Sequence, residues 1–320
     1  MVYTKTQPFK VSRRHFLGSA LFASAAICFT PRRLFGVDGS PVTIIRDAAA
    51  TAKINVTKLR GNVSMLEGSG GNIAALTGRD GKLLVDAGIT ASRPRITEAL
   101  ASLSNDPVKH LINSHWHFDH TDGNEWLHSI GAEITAHENT RKHLSVTTRV
   151  EDWNFTFPPA PSGALPTRLF DSEQTLHLNG STIALKMYSP AHTDSDISVE
   201  FTDADIVHVA DTFWNGHFPF IDYSTGGSID GMIRAAETNV AKVTDKTIVI
   251  PGHGPIGNKS QLTEFRDMLV SVREKVADLK NQGKSLDEVV AAKPTANYDA
   301  KWGGFVIDGN FFTKLVYAGV

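Results

Sequence analysis

Ser114-His115-Trp116-His117-Phe118-Asp119-His120 places four potential metal ligands within six positions. Packing imidazole and carboxylate this densely without a cation is costly, because buried unpaired polar groups destabilise a fold. The cluster directly follows an apolar run, and a tight loop there can aim alternate side chains at one point. On that reading His115 and His117 converge on one ion, and Asp119 and His120 face a second. Three more candidates each stand in a short loop after a predicted strand: His192 in Pro190-Ala191-His192-Thr193, Asp211 in Ala210-Asp211-Thr212, and His253 in Pro251-Gly252-His253-Gly254. Loops at one edge of a sheet scaffold are where binding groups usually sit. Taken singly, each of the three reads equally well as a hydrogen-bonded polar residue. Taken together, the seven read as a metal site.

The rest of the composition narrows the chemistry. The 320 residues hold thirteen histidines and one cysteine. Cys28 lies in an apolar run near the start, so the body of the chain offers no thiol for a disulfide scaffold, a thiolate zinc site, an iron–sulfur cluster or a cysteine nucleophile. A site built from imidazole and carboxylate suits Zn²⁺, with Fe and Mn as the alternatives. Hydrophobic residues at 41% and charged residues at 21% describe an ordinary folded chain.

The elements that must position these groups alternate from about residue 50. Residues 54–59, 63–66, 72–77 and 82–86 are short β-rich runs, with a Gly78-Arg79-Asp80-Gly81 turn before the last. Pro94–Leu103 is expected as a helix, and Val108–Asn113 as the strand that feeds the histidine cluster. The second half repeats the scheme. Strands are expected at 175–178 and 182–188 around Asn179-Gly180, a strong hairpin signal, and at 197–201, 206–210 and 247–250. Helices are expected at 228–243, at 259–280 and in the carboxyl-terminal 302–317. The Pro-rich stretch 157–166 reads as a loop. With Trp153, Phe155 and Phe157 it forms either a lid or a plain surface crossing.

With these motifs in place, the chain from about residue 50 to 320 resembles the metallo-β-lactamase superfamily. The resemblance rests on His115-x-His117-x-Asp119-His120 followed by His192, Asp211 and His253, and on the duplicated strand–helix layout. It implies an α+β fold, a four-layer αββα sandwich of two mixed sheets, with a binuclear site at the loops. It further implies that one metal takes His115, His117, His192 and Asp211, and that the other takes Asp119, His120, His253 and the shared Asp211. A bridging Asp211 is similar to the glyoxalase II-like arrangement, and departs from true β-lactamases, which carry cysteine or a non-ligand serine there. The expected activity is hydrolysis of an ester, thioester, lactone or amide, β-lactams included. Two divalent ions roughly 3.5–4 Å apart would share a water and lower its pKa. The resulting hydroxide would attack the carbonyl, with Asp119 orienting it. A mononuclear-iron dioxygenase acting on persulfides and a metal-binding protein without catalysis are the alternative outcomes.

Two further expectations complete the reading. Asp211 to Tyr223 is unusually aromatic, and Trp214, His217 and Tyr223 are expected to line the substrate, with His217 or Tyr223 donating to a developing oxyanion. The same rings would equally serve as core over the metal layer. At the other end, Ser12-Arg13-Arg14-His15-Phe16-Leu17 before the apolar run 16–29 resembles a twin-arginine export signal. Residues 1–37 are therefore expected to be a leader read by the twin-arginine machinery, directing the chain to the periplasm or outside, with a tether if it is not cleaved. This segment carries six Lys and Arg and no acid, and taking that +6 from the whole-chain −2 leaves −8 for the remainder. So acidic a body is not expected to bind nucleic acid, and the expected partner is a small molecule.

Overall fold

The computed structural model describes residues 40–320, and the leader expected at 1–37 lies outside them. In chain order the strands are β1 (Asn55–Lys58), β2 (Val63–Glu67), β3 (Ile73–Leu76), β4 (Lys82–Val85), β5 (Val108–Ile112), β6 (Glu133–His137), β7 (Thr148–Val150), β8 (Phe155–Phe157), β9 (Arg168–Phe170), β10 (Glu173–Leu178), β11 (Ser181–Met187), β12 (Ile197–Phe201), β13 (Ile206–Trp214) and β14 (Ile248–His253). Seven of them form one mixed sheet in the order β1-β2-β3-β4-β5-β6-β9. It is antiparallel as far as β4 and parallel from β4 to β9. The second sheet is β10-β11-β12-β13-β14, in which only the β13–β14 pair is parallel.

Period-two alternation decides what each sheet face buries. Val63, Met65, Ala74, Leu76, Leu83 and Val85 meet Ile183, Leu185, Ile197, Val199 and Phe201 between the two sheets. The alternate residues Leu66, Ile73, Ala75 and Leu84 face outward, onto Ile96 and Leu100 of helix Arg93–Leu103 and Trp126 of helix Asn124–Ser129. On the far side Val207, Val209, Phe213 and Val249 pack beneath helices Ile229–Lys242, Lys259–Asn281 and Gly309–Gly319. The layers are helix, sheet, sheet, helix, as the sequence led us to expect.

Several local differences have physical causes. β13 runs through Asp211 to Trp214 rather than stopping at 210, with register shifts after His208 and Ala210 and a left-handed Ala210 (φ 47°). An irregularity of this kind re-aims a side chain without ending the strand. The carboxyl-terminal helix starts at Gly309, where Asp308 caps it by accepting from Phe311 N (2.8 Å). The segment expected to be a loop from Phe157 begins as a paired hairpin, β7 with β8. Trp153 and Phe157 are each only 7% exposed, and Trp153 stacks on Phe220 at 4.7 Å. The aromatic half of the segment is therefore packed core. Helix Pro41–Ala49 and strand β6 were not anticipated from the sequence.

Candidate metal centre

The end of β5 leads through Asn113 and Ser114 into the histidine loop, which continues as a one-turn helix, Phe118–Thr121. Reciprocal amide bonds between Asn113 and Asn124, both 2.9 Å, hold the loop against the next helix. The structure gathers all seven candidates in two neighbouring groups: His115, His117, His192 and Asp211 in one, and Asp119, His120 and His253 in the other. Asp211 stands between them. Its Oδ2 lies 3.3 Å from His192 Nε2 and 3.4 Å from His253 Nε2, while its Oδ1 lies 3.1 Å from His120 Nε2. Asp119 Oδ2 is 3.3 Å from His253 Nε2.

The outer partners set the imidazole tautomers. His192 Nδ1 donates to the Phe220 carbonyl (2.8 Å), leaving its Nε2 lone pair inward. His117 Nε2 donates to Asp222 Oδ2 (3.0 Å), which turns the Nδ1 lone pair inward. His120 does the same from Nδ1 to Asp86 Oδ2 (2.7 Å), leaving its Nε2 inward. Ser114 Oγ already donates to Asp86 (2.7 Å), so it accepts from His115 Nδ1 at 3.1 Å. With the four rings neutral, four lone pairs thus point at the centre, and His117 Nδ1 and His192 Nε2 come within 2.8 Å of each other.

That arrangement tests whether a metal fits. His115 Nε2, His120 Nε2, His253 Nε2 and Asp211 Oδ1 are buried without a hydrogen-bond partner, although His120 and Asp211 are close. Buried polar atoms are ordinarily paired, so several converging orphans mark a cation site. Tetrahedral ligands on bonds of 2.0–2.1 Å stand about 3.3 Å apart, which matches the 3.1–3.4 Å spacings around Asp211. The donor set fits divalent metal.

The electrostatics follow from the same crowding. Burial opposes the charge on Asp211, but His120, His253, His192 and His115 hold its carboxyl well below the usual range. Burial also opposes protonation of His253, yet Asp211 and Asp119 outweigh it and lift its pKa to about 9. His120 is likewise raised well above normal against the cost of burial, chiefly by Asp211 and Asp86. His115 and His117 lie below normal, burial being the main cause for both. In the metal-free chain, protons on His120 and His253 do part of the work of a cation, so metal must displace them.

Two glycines permit the closeness. A Cβ on Gly71 would sit 2.0 Å from His120 Cε1, and one on Gly252 would sit 1.9 Å from Asp211 Oδ1. Only a bare backbone passes there. Sequence reasoning did not single out these glycines, nor Asp86 and Asp222. Asp86 carried one readable signal, an acid ending an apolar strand just before Ala87-Gly88.

The expected substrate residues separate. Trp214 is buried with its ring 4.3 Å from His253, and His217 packs 4.8 Å from Phe305. Burial, with the charge of His253 added, pushes the His217 pKa down to about 4, so the ring is neutral near pH 7. Tyr223 is a correction. Its hydroxyl donates to the Leu315 carbonyl (2.7 Å) in the carboxyl-terminal helix, so it serves packing and is not free to meet an oxyanion. His208 is structural, donating from Nε2 to Asn72 O at 3.0 Å.

With this geometry established, comparison places the chain. Residues 66–256 match the metallo-beta-lactamase superfamily, and the chain belongs to it. Its members, the alkylsulfatase and lactamase neighbours among them, are hydrolases. Among solved structures, the chain is similar to a double mutant of the sec-alkyl sulfatase PisA1 (15% identity, TM-score 0.64), covering 85% of this chain and 51% of that one. The stereoselective inverting sec-alkylsulfatase Pisa1 from Pseudomonas sp. gives 15% and 0.63, over 82% and 50%. A metallo-beta-lactamase from Pontibacter korlensis gives 18% and 0.55, over 68% and 99%. The chain spans about half the length of the alkylsulfatases it matches. At these identities the likeness establishes the fold.

Proposed function

We propose that this protein is a two-metal hydrolase of a small exported-compartment substrate, with the scissile ester, thioester, lactone or amide bond lying across Asp211. The observation that carries the reading is the single carboxylate of Asp211 facing both groups of imidazoles, Oδ2 toward His192 and His253 and Oδ1 toward His120. Two divalent ions bound there, zinc with iron or manganese as alternatives since no thiolate biases the choice, would supply a Lewis acid and acidify water. His115, His117, His192 and Asp211 would hold one, and Asp119, His120, His253 and Asp211 the other. Asp119, one of the two cluster residues that solvent reaches, orients the attacking water by accepting its hydrogen bond. Its other neighbours, His120 and His253, keep its carboxyl ionised against the effect of burial. The buried Trp214 ring packs against His253 and lowers the polarity around it, which strengthens the charge interactions on that flank.

Metal analysis of the purified chain, followed by a panel of nitrocefin, a thioester, a lactone and a secondary alkyl sulfate, tests the proposal. Two zinc ions per chain with turnover of a carbonyl substrate is the expected result. Turnover of the sulfate alone would instead favour the chemistry named for the alkylsulfatases, whose fold match covers most of this chain. One iron per chain with no hydrolysis would favour an oxygenase. Bound metal without turnover of any substrate would leave a metal-binding protein, and no bound metal would refute the metal site itself.

Export through the twin-arginine machinery belongs to the same proposal. Replacing Arg13 and Arg14 with lysine is expected to leave the chain in the cytoplasmic fraction, and unchanged periplasmic or secreted protein would refute it.

A further inference from the structure

Two members of the cluster are less buried than the rest. Asp119 and His253 are each 6% exposed, whereas His115, His117, His120, His192 and Asp211 are at 0–1%. A substrate therefore approaches over Asp119 and His253. One border of that approach carries no side chain, since Gly70 and Gly71 pass directly against Asp119 and His120. The flank beside His253 is aromatic. Phe305 is 43% exposed, yet its ring lies 4.8 Å from His217 and 6.0 Å from both Trp214 and His253. It comes from the carboxyl-terminal segment, beyond the residues that match the superfamily. Its neighbours in sequence are anchored: Trp302 is 1% exposed and accepts at its carbonyl from Phe218 N (2.9 Å), and Ile307 is 2% exposed. A large apolar ring is thus held at the rim of the centre between two buried anchors. A single exposed apolar residue elsewhere would need no explanation. Here it extends the buried Trp214 ring outward, across His217, to the surface.

We propose that Phe305, with His217 and Trp214, forms the apolar wall of the substrate pocket beside His253, and selects substrates with an alkyl or aryl group next to the scissile bond. The proposal rests on the hydrolase reading above and names the substrate class for it. A carboxylate product of such a substrate would keep its chain against this wall, so acetate, butyrate and hexanoate are suitable probes. Calorimetry on the metal-loaded protein is expected to show affinity rising roughly two- to fourfold per added methylene. Phe305→Ala is expected to flatten that slope, leaving acetate affinity and metal content as in the wild type. Phe305→Leu is expected to restore part of it. An unchanged slope in Phe305→Ala, or an equal loss for acetate and hexanoate, would overturn the wall. If the wild-type chain takes up no metal, the hydrolase reading fails instead. Hexanol measured against ethanol, which needs no metal, then decides the wall by the same slope.

Discussion

Asp211→Ala is expected to abolish binding of both metals at once and to lower kcat/KM by about 10³-fold or more, since metal catalysis supplies several kcal/mol of the barrier reduction. The reason is geometric. The cluster's other carboxylate, Asp119, reaches His253 and His120 but forms no close pair with His192, whereas Asp211 lies within 3.4 Å of all three. Removing a ligand that serves one group alone would leave the other intact; removing this one strips both. Thermal unfolding with and without chelator reads the effect separately from activity. A metal present at about 100-fold above its Kd stabilises by ~2.7 kcal/mol, or roughly 4–5 °C for a domain of this size. The wild type is expected to lose that increment on chelation and Asp211→Ala to show none. Retention of two metals by the variant would refute the shared-carboxylate reading.

The metal-free chain adds a second signature with a definite sign. His253 has its pKa raised from 6.5 to about 9 in the fold, so its protonation contributes stability that is full below about pH 6.5 and lost as pH rises through about 9. Metal affinity runs the other way, because binding must expel that proton and the one on His120. In Asp211→Ala, the largest raising influence on His253 is gone and the stability slope of the metal-free chain over that range is expected to flatten.

The seven clustered residues were legible because most of their signal is local or sits at strand ends. The histidine loop is four ligands in one run, and His192, Asp211 and His253 each follow an apolar β-rich stretch. The strands themselves were readable where turn chemistry bounded them, as at Asn179-Gly180, whose φ values of 56° and 74° put both residues in the left-handed region a tight hairpin needs. What was not legible depends on distant convergence. Asp222 is one of 34 acidic residues, and nothing near it says that its carboxylate meets His117 across 105 positions. Tyr223 stands next to it and looked the better candidate, but the carboxyl-terminal helix occupies its hydroxyl. Phe305 reads as filler in a glycine-rich stretch until the fold lays it beside His217. The helix after strand β6, Glu138–Ser145, was hidden because it is mostly polar and buries little besides Thr140.

Asp86→Asn is expected to cost as much metal as a lost ligand, while destabilising the metal-free fold less than Asp86→Ala does. Asp86 is fully buried with a left-handed backbone (φ 69°), and its carboxylate accepts from Ser114 N, Ser114 Oγ and His120 Nδ1, each at 2.7 Å. An amide has the same shape and keeps the bond from Ser114 N through its oxygen. Its nitrogen, however, donates where Oδ2 accepted. His120 must then accept at Nδ1 and carry its proton on Nε2, the atom that faces Asp211. Ser114 Oγ, no longer donating to position 86, is free to donate to His115 Nδ1, and His115 can also move its proton to Nε2. One substitution thus inverts a tautomer in each group, and a protonated nitrogen cannot ligate. Outer partners of metal-bound histidine ordinarily account for about 10–100-fold in metal affinity, and both groups are hit here. Asp86→Ala separates this from packing. It leaves the buried Ser114 N–H unpaired, at about 1–3 kcal/mol, so its metal-free Tm should fall well below that of Asp86→Asn. Competition against a chromogenic chelator measures affinity, and imidazole ¹⁵N shifts report the tautomers. Wild-type affinity in Asp86→Asn, or unchanged shifts for His115 and His120, would show that the carboxylate's charge and acceptor character do not set the ligands.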